Sequence, residues 1–337
     1  MKFSASVLVI VSTAISACSP EPEIIEPTEV LDTPAQSRPN LLLIVADDMG
    51  YTDLGAYGSE IRTPNIDALA AQSLKLTNFN VSPTCAPTRS MILSGTDNHT
   101  AGLGGQFGRG MVTNVAGEPG YERYLHERVA TLPELLSDAG YHTYIAGKWR
   151  LGAQPDQMPN ARGFENSFVL VPGAASHFNP NPTAYTENGL YLEEAPEVFY
   201  STEFYTNKLI EYISSNHGDG QPFFALAGYT SPHWPLQVPD DYLDRYTGVY
   251  DGGYDALRAR RVASAQGLGL VPNVDAEAGF ERIGPAWDEL TPERQRESAR
   301  HMELYAAMLE NLDFHIGRLI AYLNEIGELN NTIIMFM

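Results

Sequence analysis

The chain has 337 residues, with 21 basic side chains against 42 acidic ones and a formal net charge of −21. That balance excludes a duplex nucleic-acid partner, because phosphate binding needs a basic face. Its densest basic cluster, Arg258, Arg260 and Arg261, reads as one solvated helix face. Apolar residues make up 43%, enough to bury a core in one large domain or two smaller ones.

Residues 1–17, MKFSASVLVIVSTAISA, carry one early lysine and then an apolar run ending in small residues. This is an export signal, too short and too poorly flanked for a membrane span. The run closes as Ile15-Ser16-Ala17-Cys18, which resembles the lipobox of bacterial lipoproteins. In those proteins the cysteine becomes the acylated first residue of the mature chain. The resemblance implies handling by the lipoprotein export machinery and a lipid-anchored, periplasmic location. The competing reading is a plain secretory signal with an incidental cysteine. Residues 18–37 hold Pro20, Pro22, Pro27 and Pro34 among acidic residues, without apolar periodicity. Such a segment is an extended, solvated tether, so the domain proper is expected over 38–337.

If Cys18 is lipidated, the second of two cysteines, Cys85, has no disulfide partner within the chain. Cys85 is then buried and inert, reactive, or chemically modified.

From Pro39 onward, short apolar runs alternate with helical segments. NLLLIVADD predicts a buried strand over Leu41 to Ala46. TPNIDALAAQSL predicts a helix with Thr63 as N-cap and Pro64 in first position, and LKLTNFNV (74–81) a second strand. TLPELLSDAG is a helix from Thr131 that stops at Gly140, and YHTYIAG is the strand after it. FYTNKLIEYISSN is helical and PFFALAGYT a strand. Met302, Tyr305, Leu309, Leu312, Ile316, Leu319 and Leu323 recur at helical steps and define one long helix. TIIMFM ends the sequence as a strand. The alternation argues for α/β layers around a mostly parallel sheet flanked by helices. Regions near 95–130 and 150–200 read as long loops. In the first, GLGGQFGRG fits neither the dinucleotide nor the Walker spacing.

Open parallel sheets form sites outside the carboxyl ends of their strands. Asp47 and Asp48 end the first strand, Lys148 and Arg150 follow YHTYIAG, and His233 follows PFFALAGYT. Cys85 precedes a helix in which Pro87 suits the first turn. A helix N-terminus favours an anion, and Arg89, one turn in, adds a fork of donors. The aspartates are hard oxygen ligands for Ca²⁺ or Mg²⁺. Together these residues suit hydrolysis of a sulfate or phosphate ester. Individually, the aspartates also read as loop residues and Cys85 as a small buried hydrophobe.

CAPTR followed by SMILSG resembles the sulfatase signature, Cys-x-Pro-(Ser or Thr)-Arg leading into a helix. RPNLLLIVADDMGYTDLGAYG, TPNIDALA, GYHTYIAGKWRLG and SPHWPLQVP resemble sulfatase segments in the same order. The likeness runs from about Arg38 to Met337 and points to formylglycine-dependent, calcium-type bacterial arylsulfatases of the alkaline phosphatase superfamily. It implies that a formylglycine-generating enzyme converts Cys85 to formylglycine, whose hydrate attacks the sulfur of a small aryl or alkyl sulfate ester. It also implies that Asp47, Asp48 and the modified Cys85 bind Ca²⁺, that Arg89 holds the formylglycine, and that Lys148 and His233 contact the sulfate.

Two departures accompany the likeness. Arg150 stands where the family motif GKWHLG has a histidine that assists release of sulfate, and arginine keeps its proton at ordinary pH. After a strand like TIIMFM the family continues Ser-Asp-Asn-Gly, which completes the calcium site, and then a C-terminal subdomain. The resemblance therefore predicts a catalytic domain truncated at its C-terminus, with weak calcium binding and little activity alone. A phosphonate monoester or phosphodiester hydrolase of the same superfamily and an inactive anion-binding lipoprotein are the alternatives.

Overall fold

The computed structural model describes residues 38–105, 115, 118–272 and 284–337. The signal, Cys18 and the tether lie outside them, as does much of GLGGQFGRG.

Seven strands form one sheet: β1 (Asn40–Asp47), β2 (His142–Lys148), β3 (Asn166–Leu170), β4 (Tyr185–Glu187), β5 (Leu190–Tyr191), β6 (Phe223–Pro232) and β7 (Thr332–Phe336). Their order is β5-β4-β3-β2-β6-β1-β7. Pairings from β3 through to β7 are parallel, and β4 and β5 add antiparallel strands at one edge. The alternating strand–helix pattern thus gives the expected mostly parallel α/β sheet.

The apolar runs of the central strands serve two cores at once, because successive side chains point to opposite faces. Leu42 and Ile44 of β1, Tyr144 and Ala146 of β2, and Ala225 and Ala227 of β6 enter one core. Leu43, Val45, Ile145, Phe224 and Leu226 enter the other. Helices α1 (Pro64–Ala70), α4 (Ser201–Asn216), α5 (Gly253–Gly267) and α6 (Pro292–Glu325) cover the first face. On the second face lie α2 (Cys85–Ser94) and α3 (Leu132–Asp138). The central strands β1, β2 and β6 are therefore buried on both sides, whereas the edge strand β7 leaves Ile333 and Met335 exposed.

Local signals account for most helix boundaries. Thr131 and Glu134 form a capping box on α3, and Gly140 takes φ +79° just beyond its end. Thr63 is the N-cap residue of α1, but its hydroxyl makes no cap bond. It donates instead to Asp67 (3.0 Å) and accepts from the Gly55 amide (2.9 Å). Along the 34-residue α6, Leu309, Leu312, Ile316, Leu319 and Leu323 are wholly buried, as their spacing requires.

Three expectations need correction. LKLTNFNV forms no strand: residues 74–81 are irregular, and Leu74, Leu76, Phe79 and Val81 are exposed. Strand propensity is realised only where a neighbour completes the ladder, and no described strand pairs with this segment. The region 150–200 is not simply loop, since it contains β3 and the β4–β5 hairpin. Arg261 is no solvated charge; it pairs with Asp53 and Glu60 and is mostly buried, whereas Arg260 is exposed.

Candidate active site

The carboxyl ends of β1, β2 and β6 and the helix α2 bring Asp47, Lys148 and Arg89 together and set Asp48 beside His233. β6 lies between β1 and β2, so a contact from Asp47 to Lys148 must cross it. Lys148 does so: its Nζ reaches Asp47 Oδ2 at 2.5 Å, with both side chains almost fully buried. At this level β6 carries Gly228 beside β2. A Cβ on Gly228 would lie 3.1 Å from Arg89 Nη1 and 3.2 Å from the Lys148 carbonyl oxygen. Its register partner, Gly147, has φ +125°, and a Cβ there would meet the Gly228 carbonyl oxygen at 1.9 Å. Only glycine fits at this second position.

Cys85 opens α2, directly after the extended N-cap residue Thr84. The Thr84 side chain makes no cap bond, so the helix start keeps donor capacity and partial positive charge beside the thiol. Cys85 is partly exposed and unpaired. One turn on, Arg89 is 5% exposed. Its Nη1 donates to the Lys148 carbonyl at 2.9 Å. Nη2 stands 3.7 Å from Asp47 Oδ1 and has no hydrogen-bond partner. A buried guanidinium nitrogen without an acceptor is costly.

Asp48 turns out of the strand with φ +65° and exposes its carboxylate. Oδ2 lies 3.4 Å from His233 Nε2. His233 donates from Nδ1 to the Trp234 carbonyl at 2.6 Å, which leaves Nε2 facing Asp48. Arg150 also has a positive φ, +57°, and its guanidinium packs against Gly173 in the loop beyond β3.

Sequence reasoning missed two supports. Buried His177 donates from Nε2 to the His233 carbonyl (3.0 Å) and accepts from Ser201 at Nδ1 (2.6 Å). Burial pushes its imidazole pKa down, and the hydrogen bond to the His233 carbonyl offsets this only in part, so it holds the His233 loop as a neutral ring. Tyr305 of α6 places its hydroxyl 3.1 Å from the Asp48 carbonyl oxygen and 2.6 Å from Asp53 Oδ2. Asp53 in turn accepts from the Gly50 amide (2.6 Å) and pairs with Arg261. Helical periodicity marks Tyr305 as core without revealing its polar end, and His177 stands in no motif.

The donor chemistry of Asp47 and Asp48 fits a hard divalent cation, and calcium takes six to eight oxygens. Among the described residues no group of three or more His, Cys, Asp or Glu is arranged to hold a metal. The pair thus supplies part of a coordination sphere, and Lys148 competes for one of its oxygens.

The sulfatase family profile matches residues 39–337. The chain is 48% identical over 316 residues to an uncharacterised sulfatase of Schizosaccharomyces pombe, with 89% of this chain and 57% of the relative covered. It is 39% identical over 311 residues to the arylsulfatase of Klebsiella aerogenes, covering 90% and 66%. The crystal structure of the PsFucS1 sulfatase from Pseudoalteromonas sp. superposes with a TM-score of 0.59 at 20% identity, covering 89% and 54%; at that identity the likeness concerns the fold. The chain belongs to the sulfatase family, within the alkaline phosphatase-like superfamily, and its lineage is that of sulfuric-ester hydrolases. It spans somewhat over half to two thirds of the length of these curated relatives.

Proposed function

We propose that this site hydrolyses small aryl or alkyl sulfate esters, using a formylglycine made from Cys85 by a formylglycine-generating enzyme. The observation that carries the reading is the convergence of Arg89, Lys148 and the start of α2 on one buried pole. There Arg89 Nη2 lacks an acceptor, and Cys85 occupies the first position of the helix.

Formylglycine would supply a nucleophilic hydroxyl that an unmodified thiol does not. Asp47 and Asp48 would hold Ca²⁺, which supplies positive charge against the sulfate oxygens; Cys85, once modified, adds an oxygen ligand. Arg89 orients the residue at position 85 from one turn along α2 and offers Nη2 to a sulfate oxygen. Lys148, held beside Asp47, adds a second cation to that pole. His233, kept in place by His177, has Nε2 available to transfer a proton to the leaving oxygen. Arg150 binds anions but keeps its proton, so it favours retention of sulfate over its release. The net charge of −21 opposes a long polyanionic glycan and favours a small ester.

For residues 1–37 we propose the signal, the acylated Cys18 and the tether argued from sequence, with residues 38–337 as the catalytic domain in the periplasm. Conversion of Cys18 to serine should then release the protein from the membrane or leave it unprocessed, and unchanged membrane partitioning would remove the lipoprotein reading.

The central experiment co-expresses the chain with a formylglycine-generating enzyme and weighs the tryptic peptide containing Cys85. Aldehyde at position 85, with the weak 4-nitrophenyl sulfate hydrolysis expected of this chain lost in Cys85→Ala, is the expected result. An unmodified thiol in the native host favours an inactive anion-binding protein. Faster turnover of a phenyl phosphonate monoester than of the aryl sulfate would move the assignment to phosphonate hydrolysis.

A further inference from the structure

Asp48 holds a backbone conformation that a residue with a Cβ disfavours. Its φ of +65° lies in the left-handed region, where the side chain crowds the following carbonyl. The turn made there, at the end of β1, decides where the Asp48 carboxylate points, with Oδ2 3.4 Å from His233 Nε2. That side chain is 58% exposed, so packing around it does not hold the turn.

A brace reaches the turn from two helices far along the chain. Tyr305 of α6 has one hydroxyl proton and two acceptors, Asp53 Oδ2 at 2.6 Å and the Asp48 carbonyl oxygen at 3.1 Å. Shared as a three-centre bond, that proton ties the Asp48 peptide to the Asp53 carboxylate. Asp53 is 4% exposed and is fixed in its turn. It accepts from the Gly50 amide (2.6 Å), and its own amide donates to the Gly50 carbonyl (3.1 Å). Arg261 of α5 pairs with its other oxygen. Arg261 also grips Glu60 through Nε (2.9 Å) and Nη2 (2.7 Å), and Glu60 accepts from the Tyr250 hydroxyl (2.7 Å).

The parts of this brace stand at different removes from the turn. The Tyr305 hydroxyl reaches the Asp48 peptide directly, whereas the Tyr250 hydroxyl is separated from it by Glu60, Arg261 and Asp53. Loss of the first frees the Asp48 carbonyl to rotate, and the disfavoured φ can relax. Loss of the second leaves Asp53 with Arg261, Gly50 and Tyr305.

We propose that Tyr305 is a positioning residue: its hydroxyl holds the left-handed turn at Asp48 and so aims the Asp48 carboxylate at the cation. The aim at a cation rests on the calcium reading above; the hold on the turn does not.

Tyr305→Phe removes only the hydroxyl, and Tyr250→Phe removes one that ends on Glu60. Both are made in the full chain and checked for a cooperative thermal transition. Should Tyr305→Phe lose that transition, Asp53→Asn, which keeps the shape and weakens the bond to the hydroxyl, replaces it under the same criteria. Crystal structures give φ at position 48, and europium(III), excited directly, titrates the cation site, with Asp48→Ala as reference. In Tyr305→Phe the φ of Asp48 should leave the positive region. The europium midpoint should rise at least about tenfold, the usual effect of removing a group that orients a metal ligand. Tyr250→Phe should change neither. An unmoved turn in Tyr305→Phe, or equal effects of the two tyrosine substitutions, overturns the inference. So does a turn that moves while europium binding, lost in Asp48→Ala, keeps its midpoint. If the turn moves and europium binding is absent or indifferent to Asp48→Ala, Tyr305 holds the turn and the calcium reading fails.

Discussion

Lys148 and Asp47 form a 2.5 Å ion pair across an intervening strand. Both groups are buried, so removing either leaves the other without its nearest opposite charge. Removing one member should cost far more than removing both. Lys148→Met leaves Asp47 with Arg89 at 3.7 Å and is expected to lower unfolding stability by about 3–5 kcal/mol. The double variant Asp47→Leu with Lys148→Met should recover most of that loss. Urea unfolding of the three proteins measures the coupling; equal losses in single and double variants would sink the argument.

Gly147 and Gly228, register partners in β2 and β6, should respond unequally. Gly147→Ala drives a methyl into the Gly228 carbonyl at a strongly positive φ, and little or no soluble protein is expected. Gly228→Ala makes contacts of 3.1–3.2 Å, which neighbours relieve by a small shift. A loss of about 1–3 kcal/mol is expected there, together with displacement of Arg89 and a larger fall in sulfate affinity than in stability. Chemical denaturation and sulfate titration of the two variants check the ranking.

Arg150 should limit turnover more than binding. With the formylglycine form in hand, a rapid burst of 4-nitrophenol followed by a slow steady state is expected. Arg150→His should raise the steady-state rate and leave the burst amplitude near one per site. No rise would count against Arg150 as the brake.

His142 lies between Glu165 (2.6 Å) and Asp219 (2.8 Å). Burial lowers its pKa, but the hydrogen bonds and charge of the two carboxylates more than offset this, and the net shift is upward. A raised folded value means that the bridge stabilises fully below the ordinary histidine pKa and fades as pH rises through the folded one. The thermal midpoint of His142→Gln should therefore lie further below wild type at about pH 6 than at about pH 9. A gap that widens with pH would refute the bridge.

His315 predicts the opposite limb. Buried on α6 beside Arg318, whose Nη1 lies 3.0 Å from its Nδ1, it is pushed down to about 4 by burial first and by that cation second. The unfolded chain binds this proton more readily, so stability falls as pH drops from the ordinary 6.5 through about 4. The full effect is of order 3 kcal/mol. Urea midpoints of His315→Asn should be flatter than those of wild type across that window.

Much of the fold and of the candidate site was legible because strand ends, caps and helical stripes are written locally. Asp47, Lys148 and His233 each follow an apolar run, and Cys85 and Arg89 share one helical turn. The Asn188-Gly189 pair, with φ +49° and +81°, is a two-residue hairpin turn joining β4 to β5 and could have been read from sequence. Residues 74–81 show the converse failure, since their strand-like pattern says nothing about whether a neighbour is present. Arg261 looked like surface because its partners, Asp53 and Glu60, lie some two hundred positions away. The support of His233 by His177 is likewise a tertiary fact without a local signature.

The order of strands in the sheet has a consequence for synthesis. β1 leaves the ribosome first, yet its neighbours β6 and β7 follow about 180 and 290 residues later. Until β6 is made, the run LLLIVA is an apolar strand with both edges open. Chain elongation therefore presents a long interval in which a chaperone, or another nascent copy, can claim β1 before its own partners exist.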